Sequence, residues 1–259
     1  MAEKYVALGS SFAAGPGIPP IIDIAAMRSG GNYPHLLAEW LEADLTDLSV
    51  SGATAATIMD TPHMNLAGGD PLPPQLSLFP DDATLVTITV GGNDMGFIGS
   101  MLYRAWERTA PDSPIMEMLR LMPFHPVPGE PEIAKVAADI AQVVATIRLR
   151  APQARGILVD DRSVIDDDTT TEVVGAADLV GFRRRQEALR QANEQAAQLS
   201  GAELLRASEL SAGHGFSAAE PWVFSFSADP SELASAFHPN AEGMRQVANW
   251  LYRLVRPNT

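Results

Sequence analysis

The amino-acid sequence predicts an α/β protein whose parallel β-sheet of five strands is covered by helices on both faces. Five short apolar segments alternate along the chain with longer segments of helical periodicity, which is the pattern of repeated βα units. The strand segments are nearly continuous apolar runs, as expected for strands buried on both faces. No internal repeat and no evident linker divides the 259 residues, so we expect a single domain over 1–259.

Local patterns determine the order of the elements. The strands are predicted over 5–8, 45–50, 84–90, 156–160 and 202–205, and the clearest, 84–90, is β-branched at all but one position. Apolar residues recur at helical spacing over 33–44, 96–108, 115–122, 132–150 and 179–199. A short helix ending at Met59 is predicted with Thr54 or Ser51 as its cap, and a last helix through Val255 with Asn240 as its cap. The segments 62–80 and 208–237 are predicted to be irregular.

Composition limits the classes of partner. The net charge of −14 opposes binding to nucleic acid and to anionic membrane surfaces, and we predict neither. The basic cluster Arg183–Arg185 and the acidic runs 160–161 and 166–168 are interpreted as solvated surface. No run reaches the ~18 apolar residues that a membrane-spanning helix requires, so no integral membrane segment is expected.

The chain contains no cysteine, which removes disulfides, thiolate zinc sites and cysteine nucleophiles. Its first residues carry neither the basic nor the apolar region of a signal peptide. These features predict a cytoplasmic protein, and a secreted mature form whose signal has been removed is the alternative. We predict no metal site and no cofactor, because His35, His63 and His125 have no neighbours at metal-ligand spacing.

Three predicted strands end in small or polar residues. These ends are Gly9-Ser10-Ser11, Ser51-Gly52-Ala53 and Gly91-Gly92-Asn93-Asp94. In a parallel sheet all three emerge at the same edge, where ligands bind in open α/β folds. A fourth segment, Phe237 to Gly243, leads into the last helix and can bring His238 to that edge. Each segment alone has a structural interpretation as a cap, turn or loop, but their combination predicts a catalytic site.

These four segments resemble the SGNH hydrolases, also called GDSL esterases and lipases, over nearly the whole chain from Leu8 to Gly243. The serine, glycine, asparagine and histidine that name the family match Ser11, Gly52, Asn93 and His238. The His-Pro-Asn segment and the Ala-Ala-Gly-Pro-Gly segment are most similar to the bacterial secreted-lipase branch. The resemblance implies a flavodoxin-like α/β/α sandwich and an enzyme that hydrolyses carboxylic esters of small molecules or lipids.

The resemblance also implies the role of each residue. Acyl transfer needs a nucleophile, a base and donors for the developing oxyanion. Ser11 is expected to attack the ester carbonyl, and His238 to take the proton of its hydroxyl. The oxyanion hole would consist of the backbone N–H groups of Ser11 and Gly52 and the side-chain amide of Asn93.

The sequence departs from the family at two positions of the site. Ser10 replaces the aspartate of the Gly-Asp-Ser motif, and Ser235 stands where the family usually has an acid, three residues before the histidine. We therefore predict a Ser–His dyad in which the main-chain carbonyl of Ser235 accepts the Nδ1 proton of His238. Asp229 and Glu232 are the alternative partners.

Two other functions fit the same residues. The missing acid and the altered Gly-Ser-Ser motif suggest, as an alternative, a non-catalytic relative that binds a ligand in the same cleft. A carbohydrate O-deacetylase of this fold is a narrower variant of the esterase. Residues 115–124 form a candidate acyl-binding wall, since they hold more apolar side chains than an exposed loop should. The alternative is that these side chains, which are Met116, Met118, Leu119, Leu121, Met122 and Phe124, pack on the sheet.

Overall fold

The computed structural model describes residues 3–65, 68–121 and 125–257, and its centre is a β-sheet. The strands are β1 (Lys4–Gly9), β2 (Ile21–Asp23), β3 (Arg28–Ser29), β4 (Asp44–Asp47), β5 (Leu85–Thr89), β6 (Arg155–Val159) and β7 (Glu203–Leu205). Five of them form one parallel sheet in the order β4-β1-β5-β6-β7, and β2 and β3 form a separate antiparallel hairpin. The predicted parallel sheet of five strands is confirmed.

Helices connect the strands and cover the sheet. They are α1 (Ser11–Ala14), α2 (Tyr33–Leu41), α3 (Ala55–Met59), α4 (Phe97–Thr109), α5 (Pro114–Leu119), α6 (Glu130–Arg150), α7 (Ala176–Ser200), α8 (Ala207–Leu210) and α9 (Ala241–Val255). Short 3₁₀ helices cover Gln75–Leu78 and Pro230–Glu232. None of the helices in the described ranges is long and apolar enough to cross a lipid bilayer.

The strands separate two apolar layers, because successive side chains of a strand point to opposite faces. On β1, Val6 and Leu8 pack into the layer that holds α3, α4, α6 and α7. Tyr5 and Ala7 pack into the opposite layer, which holds α2 and α9. The fold is therefore an α/β/α sandwich, as predicted.

The strand order places the first turn, which follows β1, between the segments that follow β4 and β5 at the carboxyl edge. In the sheet, β1 lies between β4 and β5. The chain therefore passes from β1 to β4 on one side and then continues on the other side from β5 to β7, so the order of the strands reverses between β1 and β5. Ligand sites of doubly wound sheets lie at this kind of reversal. The segments after β1, β4 and β5 carry Ser11, Gly52 and Asn93, respectively.

The structure contains elements that the sequence pattern does not predict. The β2–β3 hairpin lies within 18–31, where no strand is predicted, and α8 overlaps the segment 208–237 that is predicted to be irregular. Ile21 and Ile22 are both about half exposed, at 45% and 53%, so the hairpin lacks the alternation of buried and exposed residues that identifies a strand. Elements this short are set by contacts with the rest of the fold.

Candidate active site

The first turn is held by the neighbouring strand. The backbone N–H of Ser10 donates to the carbonyl of Thr89 at the end of β5, over 2.9 Å. Ser11 then begins α1, which ends after one turn at Gly15 in the left-handed conformation. The Ser10 side chain is buried and makes no capping hydrogen bond to a described residue, although Ser10 occupies the cap position.

Gln75 braces the same turn from a distant part of the sequence. Its side-chain oxygen accepts the backbone N–H of Gly9 over 2.9 Å, and its side-chain nitrogen donates to the carbonyl of Gly9 over 2.8 Å. Gln75 is only 3% exposed, so both bonds are shielded from water. Its amide thus pairs with the last residue of β1 as a neighbouring strand would. No sequence pattern indicates this role, because Gln75 lies in a segment rich in proline.

Replacing Gln75 by alanine should lower the free energy of unfolding by about 1–3 kcal/mol, because the buried N–H of Gly9 loses its acceptor. Because Gly9 leads directly to Ser11, kcat on a soluble ester should fall as well. Urea denaturation and steady-state kinetics measure the two effects. Gln142 is exposed on α6, and Gln142→Ala is the matched control, expected to change neither value. Wild-type stability in the Gln75 variant would contradict the bracing role.

The Gly52 turn is fastened to both neighbouring segments. Gly52 has a φ of 88°, in the left-handed region that favours glycine. The backbone N–H of Val50 donates to the carbonyl of Gly9 over 3.0 Å. On the other side, the Asn93 amide donates to the carbonyl of Ala53 over 2.9 Å, and the Asp94 carboxylate accepts the backbone N–H of Ala55 over 3.1 Å. Asn93 and Asp94 therefore hold this turn at two successive points.

A stretch of antiparallel backbone pairing brings His238 to the first turn. Val223 forms a bridge with Pro239, and the backbone N–H of Phe224 donates to the carbonyl of His238 over 2.8 Å. The His238 ring is buried, and its centroid lies 5.8 Å from that of Phe12. Its Nε2 lies 3.0 Å from Ser11 Oγ, within hydrogen-bond distance. Two side chains that are 227 positions apart in the sequence are thus in contact.

The Nδ1 atom of His238 faces a different carbonyl from the one predicted. It lies 3.0 Å from the carbonyl oxygen of Ala236. The carbonyl of Ser235 instead accepts the backbone N–H of His238 over 2.9 Å, because residues 235–238 form a tight turn closed by that bond. The assignment of the Ser235 carbonyl to the ring is therefore corrected to Ala236.

The two alternative acids do not contact the ring. Asp229 is exposed, and its carboxylate accepts the backbone N–H of Ser231 over 2.9 Å at the start of a 3₁₀ helix. Glu232 is exposed as well. In the described part of the chain, no carboxylate is hydrogen-bonded to either ring nitrogen of His238.

Burial sets the protonation state of the site. It lowers the pKa of His238 to about 4, although the Ala236 carbonyl acts in the opposite direction by accepting the Nδ1 proton. His238 is therefore neutral at pH 7, with an Nε2 lone pair available to accept a proton. Burial also raises the pKa of Asp94 to about 6, although the bond from the Ala55 N–H favours the charged form and acts in the opposite direction.

The described residues contain no group of three or more His, Asp or Glu side chains arranged to hold a metal ion.

Two buried ionisable side chains lie next to the site, where the sequence pattern indicates a solvated turn. Asp161 and Arg162 are both almost fully buried. Burial and the nearby Asp160 raise the pKa of Asp161 to about 7, and burial lowers the pKa of Arg162 to about 9. The Arg162 guanidinium donates to the carbonyl of Gly243 over 2.9 Å and lies 5.9 Å from the centroid of Phe12. It thus ties the start of α9 to the segment after β6.

The basic cluster is only in part the solvated surface that the sequence predicts. Arg185 is only 4% exposed, and its guanidinium donates to the carbonyls of Met95 and His125, over 2.5 and 2.9 Å. It therefore anchors the segment directly after Asn93 and Asp94. An arginine with such a role cannot be distinguished from a surface arginine by helical spacing alone.

The candidate acyl-binding wall divides into two parts. Met116 and Leu119 are buried against Trp106 of α4, so these two form core between helices. Met118 and Leu121 are exposed, at 47% and 86%. Met122 and Phe124 lie outside the described residues. Among the described residues of this set, the exposed pair Met118 and Leu121 retains the surface that the hypothesis requires.

Comparison with known proteins identifies the family of the chain. The profile of the GDSL-like lipase/acylhydrolase family matches residues 7–246. The chain belongs to this family. The family, the SGNH fold and the class of enzyme predicted from the sequence, a carboxylic ester hydrolase, are therefore confirmed.

Three proteins from Streptomyces are similar to this chain in sequence or in fold. The chain is 30% identical to Lipase 2 of Streptomyces coelicolor, in an alignment that covers 94% of this chain and 83% of that one. Its fold is similar to that of the extracellular lipase of Streptomyces rimosus, with a TM-score of 0.71 at 23% identity and full coverage of both chains. It is also similar to that of phospholipase A1 of Streptomyces albidoflavus, with a TM-score of 0.69 at 18% identity and full coverage of both.

Proposed function

We propose that this family member is a serine esterase or lipase that hydrolyses carboxylic esters of small molecules or lipids through an acyl-enzyme, with Ser11 as nucleophile and His238 as base. The observation that carries the proposal is the 3.0 Å distance between Ser11 Oγ and His238 Nε2. A nucleophile and a base in hydrogen-bond contact are the minimum required to activate a serine hydroxyl. The low pKa of His238 keeps the base in its neutral form at pH 7.

The reaction would proceed in two half-reactions. His238 takes the proton from Ser11 as Oγ attacks the ester carbonyl, and the imidazolium then protonates the leaving alcohol. Water repeats the sequence on the acyl-enzyme: His238 accepts its proton, hydroxide adds to the acyl carbonyl, and Ser11 leaves with the proton returned. The protein thus returns to its starting state without a cofactor.

The oxyanion hole is proposed to consist of the backbone N–H groups of Ser11 and Gly52 and the side-chain amide of Asn93. Neither backbone N–H donates to an acceptor within the described residues, so both are available to a substrate. The Asn93 amide uses one of its two hydrogens on the Ala53 carbonyl, which leaves the second for the oxyanion. Donors held in this way need no reorganisation when charge develops.

A main-chain carbonyl is proposed to replace the acid of a catalytic triad. The Ala236 carbonyl, 3.0 Å from Nδ1, can accept the Nδ1 proton and so keep the Nε2 lone pair directed at Ser11. This orienting function is a large part of what the aspartate does in serine proteases. A neutral carbonyl stabilises the imidazolium less than a carboxylate does, so the dyad depends more on its geometry.

A chain-length series of p-nitrophenyl esters tests the proposal. Hydrolysis of one or more esters, with a burst of p-nitrophenol before the steady state where deacylation is slow, is expected. Folded protein without activity on any acyl ester would refute the proposal and favour the non-catalytic relative. Activity on the acetyl ester and on acetylated sugars alone would favour the O-deacetylase.

The pH dependence of kcat/KM should reflect the buried histidine. Because burial lowers the pKa of His238 to about 4, activity should persist to about pH 5 and fall as protonation removes the base. The free energy of unfolding depends on pH in the same direction. In the unfolded chain this histidine has a pKa of about 6.5, so the stability that depends on its neutral form is present above that pH and is lost as the pH falls toward 4. Kinetics between pH 3.5 and 8, with melting temperatures at each pH, measure both effects. An acidic limb centred near pH 6.5 would contradict the lowered pKa of His238 and indicate a ring that water reaches.

The location and the domain organisation also stay proposals. A single domain over 1–259 and a cytoplasmic location are retained from the sequence, with a secreted mature form as the alternative. Immunodetection in the cell lysate and in the culture medium of the host distinguishes the two locations.

A further inference from the structure

A bulky residue occupies a left-handed backbone conformation directly before His238. Phe237 has a φ of 62° and is fully buried. In the described chain, Met27 and Glu42 are the other non-glycine residues with positive φ, and Glu42 lies at the carboxyl end of α2, where this conformation is common. For a bulky aromatic residue such a φ is an outlier, and such outliers concentrate at functional sites.

The outlier lies within the turn that carries the catalytic contacts. Residues 235–238 form a turn closed by the bond from the His238 N–H to the Ser235 carbonyl, over 2.9 Å. Among these four described residues only Phe237, the third, has a positive φ, as in a type II turn, where glycine or asparagine is usual. In this conformation the Ala236 carbonyl reaches Nδ1 of the ring two residues later, over 3.0 Å. A phenylalanine here opposes the local preference, so a tertiary contact must hold it.

That contact is an aromatic cluster around the ring of Phe237. Phe216 packs against it edge-on with centroids 5.2 Å apart, and Phe226 stacks on it at 5.8 Å. Phe226 in turn meets Trp106 of α4 edge-on at 5.7 Å. Pairs at such distances and angles are favourable beyond the apolar area they bury. The backbone N–H of Phe237 also donates to the carbonyl of Phe224, over 3.1 Å.

We propose that Phe237 is a positioning residue for the esterase reaction: its ring, clamped by Phe216 and Phe226, holds the 235–238 turn in the conformation that sets the Ala236 carbonyl on Nδ1 and Nε2 on Ser11. The inference rests on the proposed function and adds a residue that touches neither substrate nor reacting atoms. In a dyad without an acid, the orientation of the histidine depends on this turn.

The test compares glycine substitutions at two left-handed positions. Phe237→Gly permits the same φ but removes the ring, so the turn becomes free to move. Glu42→Gly is the matched control, because Glu42 also has a positive φ, 52°, and is exposed at the end of α2. Kinetics on a soluble short-chain ester give kcat and KM, and a carbon-13 NMR titration of the ring gives the pKa of His238. His238→Gln assigns the signal.

Phe237→Gly is expected to lower kcat at least about tenfold with KM nearly unchanged, since misplacing a catalytic group affects mainly the transition state. The NMR pKa of His238 should rise from about 4 toward about 6.5, because the freed ring becomes hydrated. Arg162, whose guanidinium lies 5.9 Å from the centroid of Phe12, is unchanged in the variant, and burial is the main cause of the low pKa of His238, so hydration of the ring accounts for the rise. Glu42→Gly should change neither value.

Three results would overturn the proposal. They are wild-type kcat in Phe237→Gly, an unmoved His238 pKa together with a lower kcat, and an equal loss of kcat in Glu42→Gly. If Phe237→Gly does not fold, Phe226→Leu provides the test, since it removes one of the two rings that pack on Phe237 and leaves the turn sequence intact. It should lower kcat and raise the pKa of His238. If neither value changes, the proposal is overturned. If the wild-type protein hydrolyses no ester, the proposed function fails, whereas the NMR pKa still tests the positioning role.

Discussion

Ser11→Ala should lower kcat/KM on p-nitrophenyl esters by on the order of 10⁴-fold or more, because no other group takes over the nucleophilic attack. The fold should persist, since the Ser11 hydroxyl contacts His238 and α1 is held through its backbone. Melting temperature and circular dichroism check the fold, and kinetics check the loss.

The neighbouring serine provides the control. Ser10 is buried one residue away, and its side chain makes no capping bond to a described residue. Ser10→Ala should therefore keep kcat/KM within about threefold of wild type, because no hydrogen bond is lost. Activity that survives in Ser11→Ala and disappears in Ser10→Ala would show that Ser11 is not the nucleophile.

Asn93→Ala should lower kcat by on the order of 10²–10³-fold and leave KM nearly unchanged, as the removal of one oxyanion donor does in other serine hydrolases. The expected split arises because the oxyanion exists only in the transition state and the intermediate. Steady-state kinetics on a short-chain ester measure both constants. A rise in KM at constant kcat would place Asn93 in ground-state binding instead.

Asn93 also braces the Gly52 turn, so a second variant must separate the two effects. Asp94 holds the same turn through the N–H of Ala55, over 3.1 Å, and is not assigned to the hole. Asp94→Asn retains an acceptor for that N–H, and kcat should stay within about threefold of wild type. A loss in Asp94→Asn as large as that in Asn93→Ala would indicate that the brace, and not the donor, carries the effect.

The sheet, and the approach of the Ser11 and His238 segments to one another, could be predicted from the sequence because both follow from local patterns. The β-branched run before Gly91 and the helical spacing in 132–150 each indicate their own structure. The segments after parallel strands then meet at the carboxyl edge of the sheet. Ser11 and His238 are indeed in contact, and the segments of Gly52 and Asn93 are joined through Ala53.

The features that could not be predicted depend on contacts between distant residues. Gln75 pairs with Gly9 across 66 positions, and no feature of its proline-rich segment indicates that its side chain will bond to the end of a strand. Asp161 and Arg185 belong to charged runs that are exposed in most proteins, and here their burial results from the tertiary packing around them.

The carbonyl that faces His238 lies one residue away from the predicted one for a conformational reason. The choice between the carbonyls of Ser235 and Ala236 depends on the turn, and the turn depends on a positive φ at Phe237. Phenylalanine avoids that conformation locally, so contacts with distant residues must hold it, among them the packing of its ring on Phe216 and Phe226 and the bond from its N–H to the Phe224 carbonyl. Propensity alone therefore favours a different turn from the one that forms.

The central claim is that Ser11 is a nucleophile activated by His238. Treating the protein with a fluorophosphonate and mapping the adduct by peptide mass spectrometry tests it most directly, because such probes require an activated serine. We predict one phosphonyl adduct on the peptide that contains Ser11, at Ser11 itself, with labelling abolished in Ser11→Ala and strongly slowed in His238→Gln. No adduct on the folded protein, or an adduct on Ser10 or another serine, would contradict the assignment.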